Sequence, residues 1–336
     1  GSVAVSQDGG TIAVVSSSRV GDAGYAGPGR VAIYTKEDGS WSTRAVLAAP
    51  DLEGGPWSTR AVAMSADGGR VVFSTSGEGS HDPVVLSVYD RSGEEWTSTQ
   101  TITIPDGGSQ RALALSGDGR VIAVGSPSGV ADDPMTKGLV RVFTDAAGTW
   151  SQAAELYDTG AGFNDLAGIS VSLSGDGRTL AMGVRNPADV PGAVDVFEDV
   201  GSGWVLSDRL VASEEYLQGP ATALSADGRR LLAGGVQYDP VEGRVNARAY
   251  AFTRSGPGWT DEGLLPGIVE DAGGLPLALA INADGSRAVV GVDGVDLIPG
   301  SAFVYERSGS TWARIAELAD PGAFGGGRVG ASAAIG

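Results

Sequence analysis

The chain contains no cysteine, a single histidine and only two lysines. Without cysteine there are no disulfides, thiolate metal sites or cysteine nucleophiles. His81 alone cannot build a zinc site of several histidines, and the chain has no Gly-x-Ser-x-Gly elbow that would present a serine nucleophile. We therefore expect His81 to be a solvated loop residue with no catalytic role.

The sequence also lacks long apolar runs and clusters of basic residues. No apolar segment approaches the roughly 18 residues that span a bilayer, and no charged-then-apolar signal segment opens the chain. The 23 basic and 41 acidic residues give a net charge of −18, which argues against a nucleic-acid or anionic-membrane partner. Because no segment is long and apolar enough to span a bilayer, we also expect no direct membrane insertion. Because the first residue is Gly1 and not methionine, we expect a removed leader or a remnant of cloning.

Glycine, by contrast, is abundant, with 54 residues in a chain of 336. Much of it belongs to a repeated hairpin signal in which Asp-Gly joins two apolar segments, because glycine supplies the positive φ of a tight turn. Six copies are present: Ser6-Gln7-Asp8-Gly9, Ser65-Ala66-Asp67-Gly68, Ser116-Gly117-Asp118-Gly119, Ser174-Gly175-Asp176-Gly177, Ser225-Ala226-Asp227-Gly228 and Asn282-Ala283-Asp284-Gly285. The chain is therefore built from six copies of one unit.

A second marker fixes the register of the repeat. Each copy continues with an alternating strand that ends in an aromatic residue, and a tryptophan follows. These tryptophans recur at intervals of about 53 to 55 residues, slightly longer than kelch units, and are Trp41, Trp96, Trp150, Trp204, Trp259 and Trp312. Because their register is the same in every copy, we expect them to wedge between neighbouring sheets.

The unit has four short strands, which we call A to D. A four-stranded sheet has two faces to bury, and stacking several sheets around an axis buries both. The sequence therefore predicts an all-β chain that forms a β-propeller of six four-stranded blades. We expect residues 1–336 to be one domain, with approximate blades at 1–56, 57–110, 111–167, 168–219, 220–274 and 275–330.

The last six residues, 331–336, form a surplus strand that is similar to the start of a blade. Three arrangements remain open for this tail. It closes a six-bladed ring on the first blade, or the intact protein has a seventh blade. Alternatively, Ala331 to Gly336 pairs with another chain in self-assembly, since a free strand edge invites strand addition.

The repeat resembles the FG-GAP family, the bacterial and algal relatives of the integrin α-subunit head. The resemblance is carried by Phe324-Gly325 before a strand A, by the Leu-Ser-x-Asp-Gly hairpins, by Gly125-Ser126-Pro127 and by the Val-x-Val-Phe strand with its following tryptophan. It spans essentially the whole chain. The resemblance implies a secreted or cell-surface propeller that binds other proteins or glycans.

Integrin-type repeats of that family often hold calcium in an Asp-x-Asp-x-Asp-Gly loop, which supplies several oxygen ligands to one cation. The equivalent turns here, such as Gln7-Asp8-Gly9 and Ala66-Asp67-Gly68, contain a single carboxylate each. We therefore expect no calcium, no other metal and no cofactor.

The loops from strand B to C, and from D to the next A, are long and differ from blade to blade. Variable loops on a rigid scaffold commonly carry specificity. Their aromatic residues outside the repeat register offer rigid contact area, unless they pack onto the blades. The candidate ligand-binding residues are Tyr25, Trp57, Tyr157, Phe163, Tyr216 and Tyr238.

These observations favour a non-catalytic binding or adhesion module, extracellular or on the cell surface, whose partner is a protein or a glycan. Two alternatives stay open. One is a structural subunit that assembles through its C-terminal strand. The other is a carboxylate-dependent glycan hydrolase or lyase, which needs two acids across one cleft; the candidate pairs are Asp132-Asp133, Glu214-Glu215 and Glu270-Asp271.

Overall fold

A computed structural model describes most of the chain. The described residues are 2–16, 29–49, 58–77, 82–105, 107, 112–127, 138–158, 166–185, 191–211, 218–239, 244–268, 277–293, 300–319 and 330–336. His81 and the three candidate acid pairs of the hydrolase alternative lie outside them. Within this part of the chain no helix is long and apolar enough to cross a membrane.

The described residues form six sheets of four antiparallel strands each. The strands of blades 1 to 3 are β1 (Val3–Val5), β2 (Thr11–Ser16), β3 (Arg30–Glu37), β4 (Ser40–Ala48), β5 (Ser58–Met64), β6 (Arg70–Ser76), β7 (Val84–Ser92), β8 (Glu95–Ile104), β9 (Ala112–Leu115), β10 (Val121–Ser126), β11 (Leu139–Ala146) and β12 (Thr149–Tyr157). Those of blades 4 to 6 are β13 (Leu166–Leu173), β14 (Thr179–Arg185), β15 (Ala193–Asp199), β16 (Trp204–Leu210), β17 (Gln218–Leu224), β18 (Arg230–Asp239), β19 (Arg244–Ser255), β20 (Gly258–Leu264), β21 (Leu277–Ile281), β22 (Arg287–Val292), β23 (Ser301–Ser308) and β24 (Thr311–Ala319).

The sheets are the blades of a six-bladed β-propeller, so the predicted fold is confirmed. In every blade the strands follow chain order from A, nearest the axis, to D at the rim. A bulge interrupts the pairing of strands C and D in each blade, for example between Val142 and Phe143. The division of residues 1–336 into one domain with the blade ranges given above stays a prediction.

The Ser-x-Asp-Gly signal forms the tight turn between strands A and B. In blade 1 the Ser6 hydroxyl donates to Asp8 Oδ1 at 2.6 Å and accepts the Thr11 amide at 2.9 Å. The Gly10 amide donates to the same carboxylate oxygen at 2.8 Å. The two hydrogen bonds to Asp8 lower the pKa of its carboxyl group, and the bond from Ser6 has the larger effect. Gly9 has φ +66°, which glycine adopts without strain.

Neighbouring blades pack through apolar side chains and the repeated tryptophans. Among the described residues, the buried side chains form five hydrophobic clusters, each between two consecutive blades. Each cluster contains or contacts the tryptophan that opens strand D of its later blade: Trp96, Trp150, Trp204, Trp259 and Trp312. The predicted wedge is confirmed for these five. It is wrong for Trp41, which is 44% exposed.

The tail lies inside the ring of its own chain. Ala334 and Ile335 line the central channel, a space of about 280 Å³ bounded by the innermost strands. Residues 331–336 are not assigned to a strand, and a Cβ built on Gly336 would lie 2.7 Å from the Ser6 carbonyl oxygen. Self-assembly through this tail remains an untested prediction.

Candidate functional site

The candidate ligand-binding aromatic residues are only partly visible in the structure. Tyr25, Trp57, Phe163 and Tyr216 lie outside the described residues. Tyr238 belongs to β18, where its backbone pairs with Val245, and its side chain is outside the description. Tyr157 is described and is exposed. The predicted ligand-binding surface therefore stays a prediction.

Tyr157 belongs to a polar group on the outer strands of blade 3. Its hydroxyl donates to Glu155 Oε2 at 2.6 Å, and Arg141 Nε donates to Glu155 Oε1 at 3.2 Å. The tyrosine hydrogen bond lowers the pKa of Glu155, and Glu155 in turn raises the pKa of Tyr157. A carboxylate held ionised in this way is a poor proton donor and a suitable hydrogen-bond acceptor.

A second acidic group lies one residue further along, between blades 3 and 4. Asp158 directly follows β12 of blade 3, while Asp195 and Arg209 are paired residues of β15 and β16 in blade 4. Arg209 Nη1 donates to Asp158 Oδ1 and also to both oxygens of Asp195, at 3.1 and 3.2 Å. One guanidinium nitrogen thus joins two carboxyl groups from neighbouring blades. We call Asp158, Asp195 and Arg209 the acid cluster.

Burial controls the charge of the acid cluster. Both carboxyl groups are fully buried, whereas the Arg209 side chain is 27% exposed and is the member that reaches solvent. The pKa of Asp195 is raised to about 7, chiefly by burial, with Arg209 opposing the rise and the charge of Asp158 adding to it. A carboxyl group that titrates near neutrality can take up and release a proton at working pH.

The repeat explains how the fold brings these residues together. Asp195 occupies the second position of the Val-x-Val-Phe strand, and that position faces the preceding blade. Blade 3 has the opposite charges at the same register, with Arg141 on strand C and Glu155 on strand D. Sequence reasoning missed the acid cluster because it searched for adjacent acids on loops. The available signal was a charged residue in a strand otherwise buried on both faces.

A polar cleft of about 450 Å³ lies between blades 4 and 5 on the side of the A-to-B turns. Its lining includes Asp176, Arg178, Glu198, Asp227, Arg229 and Arg254. Glu198 pairs with Arg254 of the next blade, and the two aspartates accept hydrogen bonds within their own turns. These acids are engaged in structural contacts, as those of the acid cluster are, and the raised pKa of Asp195 makes the acid cluster the better candidate for proton transfer.

The central channel is lined by few polar side chains. Its lining is made of small and branched apolar residues, with hydroxyl groups contributed by Ser172 and Thr222. These two hydroxyls lie 3.3 Å apart. In the part of the chain that the structure describes, no group of three or more histidine, cysteine, aspartate or glutamate residues could hold a metal ion. The expectation of no metal and no cofactor stays a prediction.

No family model and no curated protein matches the chain. Solved structures do share its fold. Hydrazine synthase of Kuenenia stuttgartiensis aligns with a TM-score of 0.61 at 16% identity, over 90% of this chain and 75% of that one. A periplasmic gluconolactonase of Pseudomonas aeruginosa aligns with a TM-score of 0.60 at 17% identity, over 97% of this chain and 85% of that one. A putative 6-phosphogluconolactonase of Bacteroides uniformis aligns with a TM-score of 0.58 at 13% identity, over 94% of this chain and 84% of that one.

These comparisons correct two expectations from the sequence. The resemblance to the FG-GAP family is wrong, because no family model supports it and the structural neighbours are propellers of other kinds. The expectation of a non-catalytic binding or adhesion module is contradicted because these neighbours are named as enzymes. At this identity the likeness itself establishes the fold alone. The extracellular location and the protein or glycan partner stay predictions.

Proposed function

We propose that the chain is a hydrolase that opens a sugar lactone, with Asp195 as the proton-transferring residue and Arg209 as the group that faces the developing negative charge. The observation that carries this proposal is the junction of two buried carboxyl groups on one guanidinium nitrogen. Two lactonases among the structural neighbours support the choice of substrate. This is the carboxylate-dependent hydrolase alternative, with a lactone in place of a glycan.

The proposed reaction is the addition of one water molecule to an ester bond. The step requires a water molecule to enter the junction of blades 3 and 4 beside the buried carboxyl group. Ionised Asp195 takes a proton from that water molecule, and the water oxygen attacks the lactone carbonyl carbon. The carbonyl oxygen becomes negative and is stabilised by Arg209, the solvent-reaching member of the cluster. When the ring C–O bond breaks, the ring oxygen takes the proton back from Asp195, and the product is an open-chain hydroxy acid.

Asp158 is a positioning residue in this scheme. It holds Arg209 from the side of blade 3, and its negative charge helps to keep the Asp195 pKa near neutrality. Asp158→Asn removes that charge, so the pH at which activity appears should move to lower values while turnover persists. A steady-state pH profile measures this shift, and an unchanged profile would mean that Asp158 has only a structural role.

The test of the proposed function uses a panel of aldonolactones, with aryl glycosides as a second substrate class. Asp195→Asn should lower kcat/KM for the lactone by about 10² to 10⁴, the usual contribution of general acid–base catalysis. The matched control is Glu262→Gln, which alters another buried carboxylate that pairs with an arginine, Arg307, across a blade junction. Glu262→Gln should leave kcat/KM unchanged in the fraction that stays folded.

Three outcomes would contradict the proposal. Turnover of glycosides but not lactones would assign the acid cluster to a different hydrolysis. Equal losses in Asp195→Asn and Glu262→Gln would show that junction stability and not chemistry was measured. The absence of turnover on both substrate classes by a folded wild-type chain would remove the basis for a hydrolase of either kind.

A further inference from the structure

The junction between blade 6 and blade 1 differs from the other five junctions of the ring. None of the five hydrophobic clusters of described residues lies there. We call this junction the seam. It is bounded by one face of blade 6 and by one face of blade 1.

The blade 6 face of the seam is apolar and uncovered. Leu318 occupies a strand D position and pairs with Ala302 of strand C. The equivalent residues are Leu47 in blade 1, which pairs with Val31, and Leu156 in blade 3, which pairs with Val140. Leu318 is 55% exposed, whereas its counterparts Leu47 and Leu156 are 3% and 5% exposed. Val289 and Val304 are also partly exposed, while their counterparts in the other blades are buried.

The blade 1 face shows the same contrast. Ile12 and Val14 are partly exposed, but Val71 and Phe73, at the same positions of blade 2, are fully buried. Trp41 is 44% exposed on this side, whereas Trp150 and Trp312 are 6% exposed. At the other five junctions, therefore, the strand B positions are buried by a neighbouring blade, and at the seam they are partly exposed.

The tail already occupies the innermost position in the seam. Gly330 has φ +87°, and a Cβ built on it would lie 2.4 Å from the Ser301 carbonyl oxygen. Gly168, at the start of blade 4, has φ +79°, and a Cβ built on it would lie 2.6 Å from the Leu139 carbonyl oxygen. Since Gly330 repeats the contact by which a strand A begins, residues 330–336 take the place of a strand A beside blade 6.

We propose that the seam is a binding surface for three antiparallel strands of this same repeat type, which complete a further blade around the tail. The five closed junctions define the chemistry of that partner. It presents alternating Val, Ala and Leu side chains on both faces and a tryptophan at the start of its last strand. Burial of the exposed apolar faces drives the docking, as it does between the other blades. This inference is independent of the proposed function.

The chain itself supplies a probe for the test. Gly336 corresponds to Ser174, so a copy of residues 175–211, which contain the turn and strands B to D of blade 4, can be appended directly after Gly336. Because the chain has no cysteine, a single Leu318→Cys substitution reports on the seam through its rate of maleimide labelling. In the extended chain that rate should fall at least about tenfold, because labelling then requires local opening of a packed junction.

Two controls make the result specific. The first is Val205→Cys in the original blade 4, an exposed position far from the seam, whose labelling rate should not change. The second is the same extension with Leu180→Asp and Val196→Asp in the appended copy, one on each face of the blade. With this extension, the Leu318→Cys variant should be labelled as fast as it is in the unextended chain.

Equal labelling of position 318 with and without the extension, in chains that melt cooperatively, would overturn the proposal. A second overturning result concerns the unextended chain. If it sediments as a dimer in which position 318 is protected from labelling, the occupant of the seam is a second copy of the chain and not three added strands.

Discussion

Replacing Asp195 with asparagine is expected to make the protein more stable at neutral pH while it lowers activity. The carboxyl group is fully buried between blades 3 and 4, and its pKa rises from 3.8 to about 7, chiefly through burial. In the unfolded chain the same group ionises near its ordinary value. The folded state therefore holds a proton between about pH 4 and pH 7 that the unfolded state has already released.

The sign of the pH dependence follows from this difference. Because the folded-state pKa is raised, the contribution of Asp195 to stability is fully present below about pH 4 and is lost as the pH rises towards 7. At about 1.4 kcal/mol for each pKa unit, the loss amounts to roughly 4 kcal/mol. Asparagine carries no ionisable proton, so the Asp195→Asn variant should not lose this stability between pH 4 and pH 7.

The assay is urea unfolding of wild type and Asp195→Asn at pH 4 and pH 7, followed by circular dichroism. The difference in unfolding free energy between the two chains should shift in favour of the variant by a few kcal/mol from pH 4 to pH 7. Glu262→Gln, which breaks the buried pair with Arg307, should instead be destabilised at pH 7. If Asp195→Asn behaves like Glu262→Gln, the reasoning about the acid cluster is refuted.

Two further predictions concern the scaffold. Arg70→Met removes the guanidinium that bridges Asp90 and Asp145 across the junction of blades 2 and 3. Because two carboxylates lose their partner, the free energy of unfolding should fall by about 3 kcal/mol. Urea unfolding at pH 7 measures this change, and an unchanged midpoint would contradict the prediction. Gly168→Ala places a Cβ against backbone atoms at φ +79° and should lower the free energy of unfolding by at least about 2 kcal/mol. Gly148→Ala, at φ +85° with open space around the new Cβ, should lower it by about 1 kcal/mol. Equal shifts of the thermal midpoint in the two variants would contradict the steric argument.

The repeat made the fold predictable because its signals are local. The hydroxyl of Ser6 and the carboxylate of Asp8 bond to backbone within five residues, so the turn can be recognised from a short stretch of sequence. The tryptophans add a marker of constant period. The exception, Trp41, could not be foreseen, because its exposure depends on whether blade 6 covers blade 1 and not on its own sequence neighbourhood.

The candidate site was not predictable in the same way. Asp158 and Asp195 lie on different blades, and the contact between them depends on the packing of blade 3 against blade 4. Asp195 also occupies a strand position where other blades have Ala32, Ser87 or Phe303. The sequence search followed adjacent acids on loops, while the fold brings together single acids that are far apart in the chain.

The most direct test of the account is the pH dependence of kcat/KM for aldonolactone hydrolysis by the wild-type chain, corrected for spontaneous ring opening. We expect activity to rise with pH through a single ionisation near pH 7, the value assigned to Asp195, and we expect the residual activity of Asp195→Asn, lower by about 10² to 10⁴, to lack this ionisation. A folded wild-type chain without turnover, or a profile that Asp195→Asn reproduces, would contradict the assignment of hydrolysis to the acid cluster.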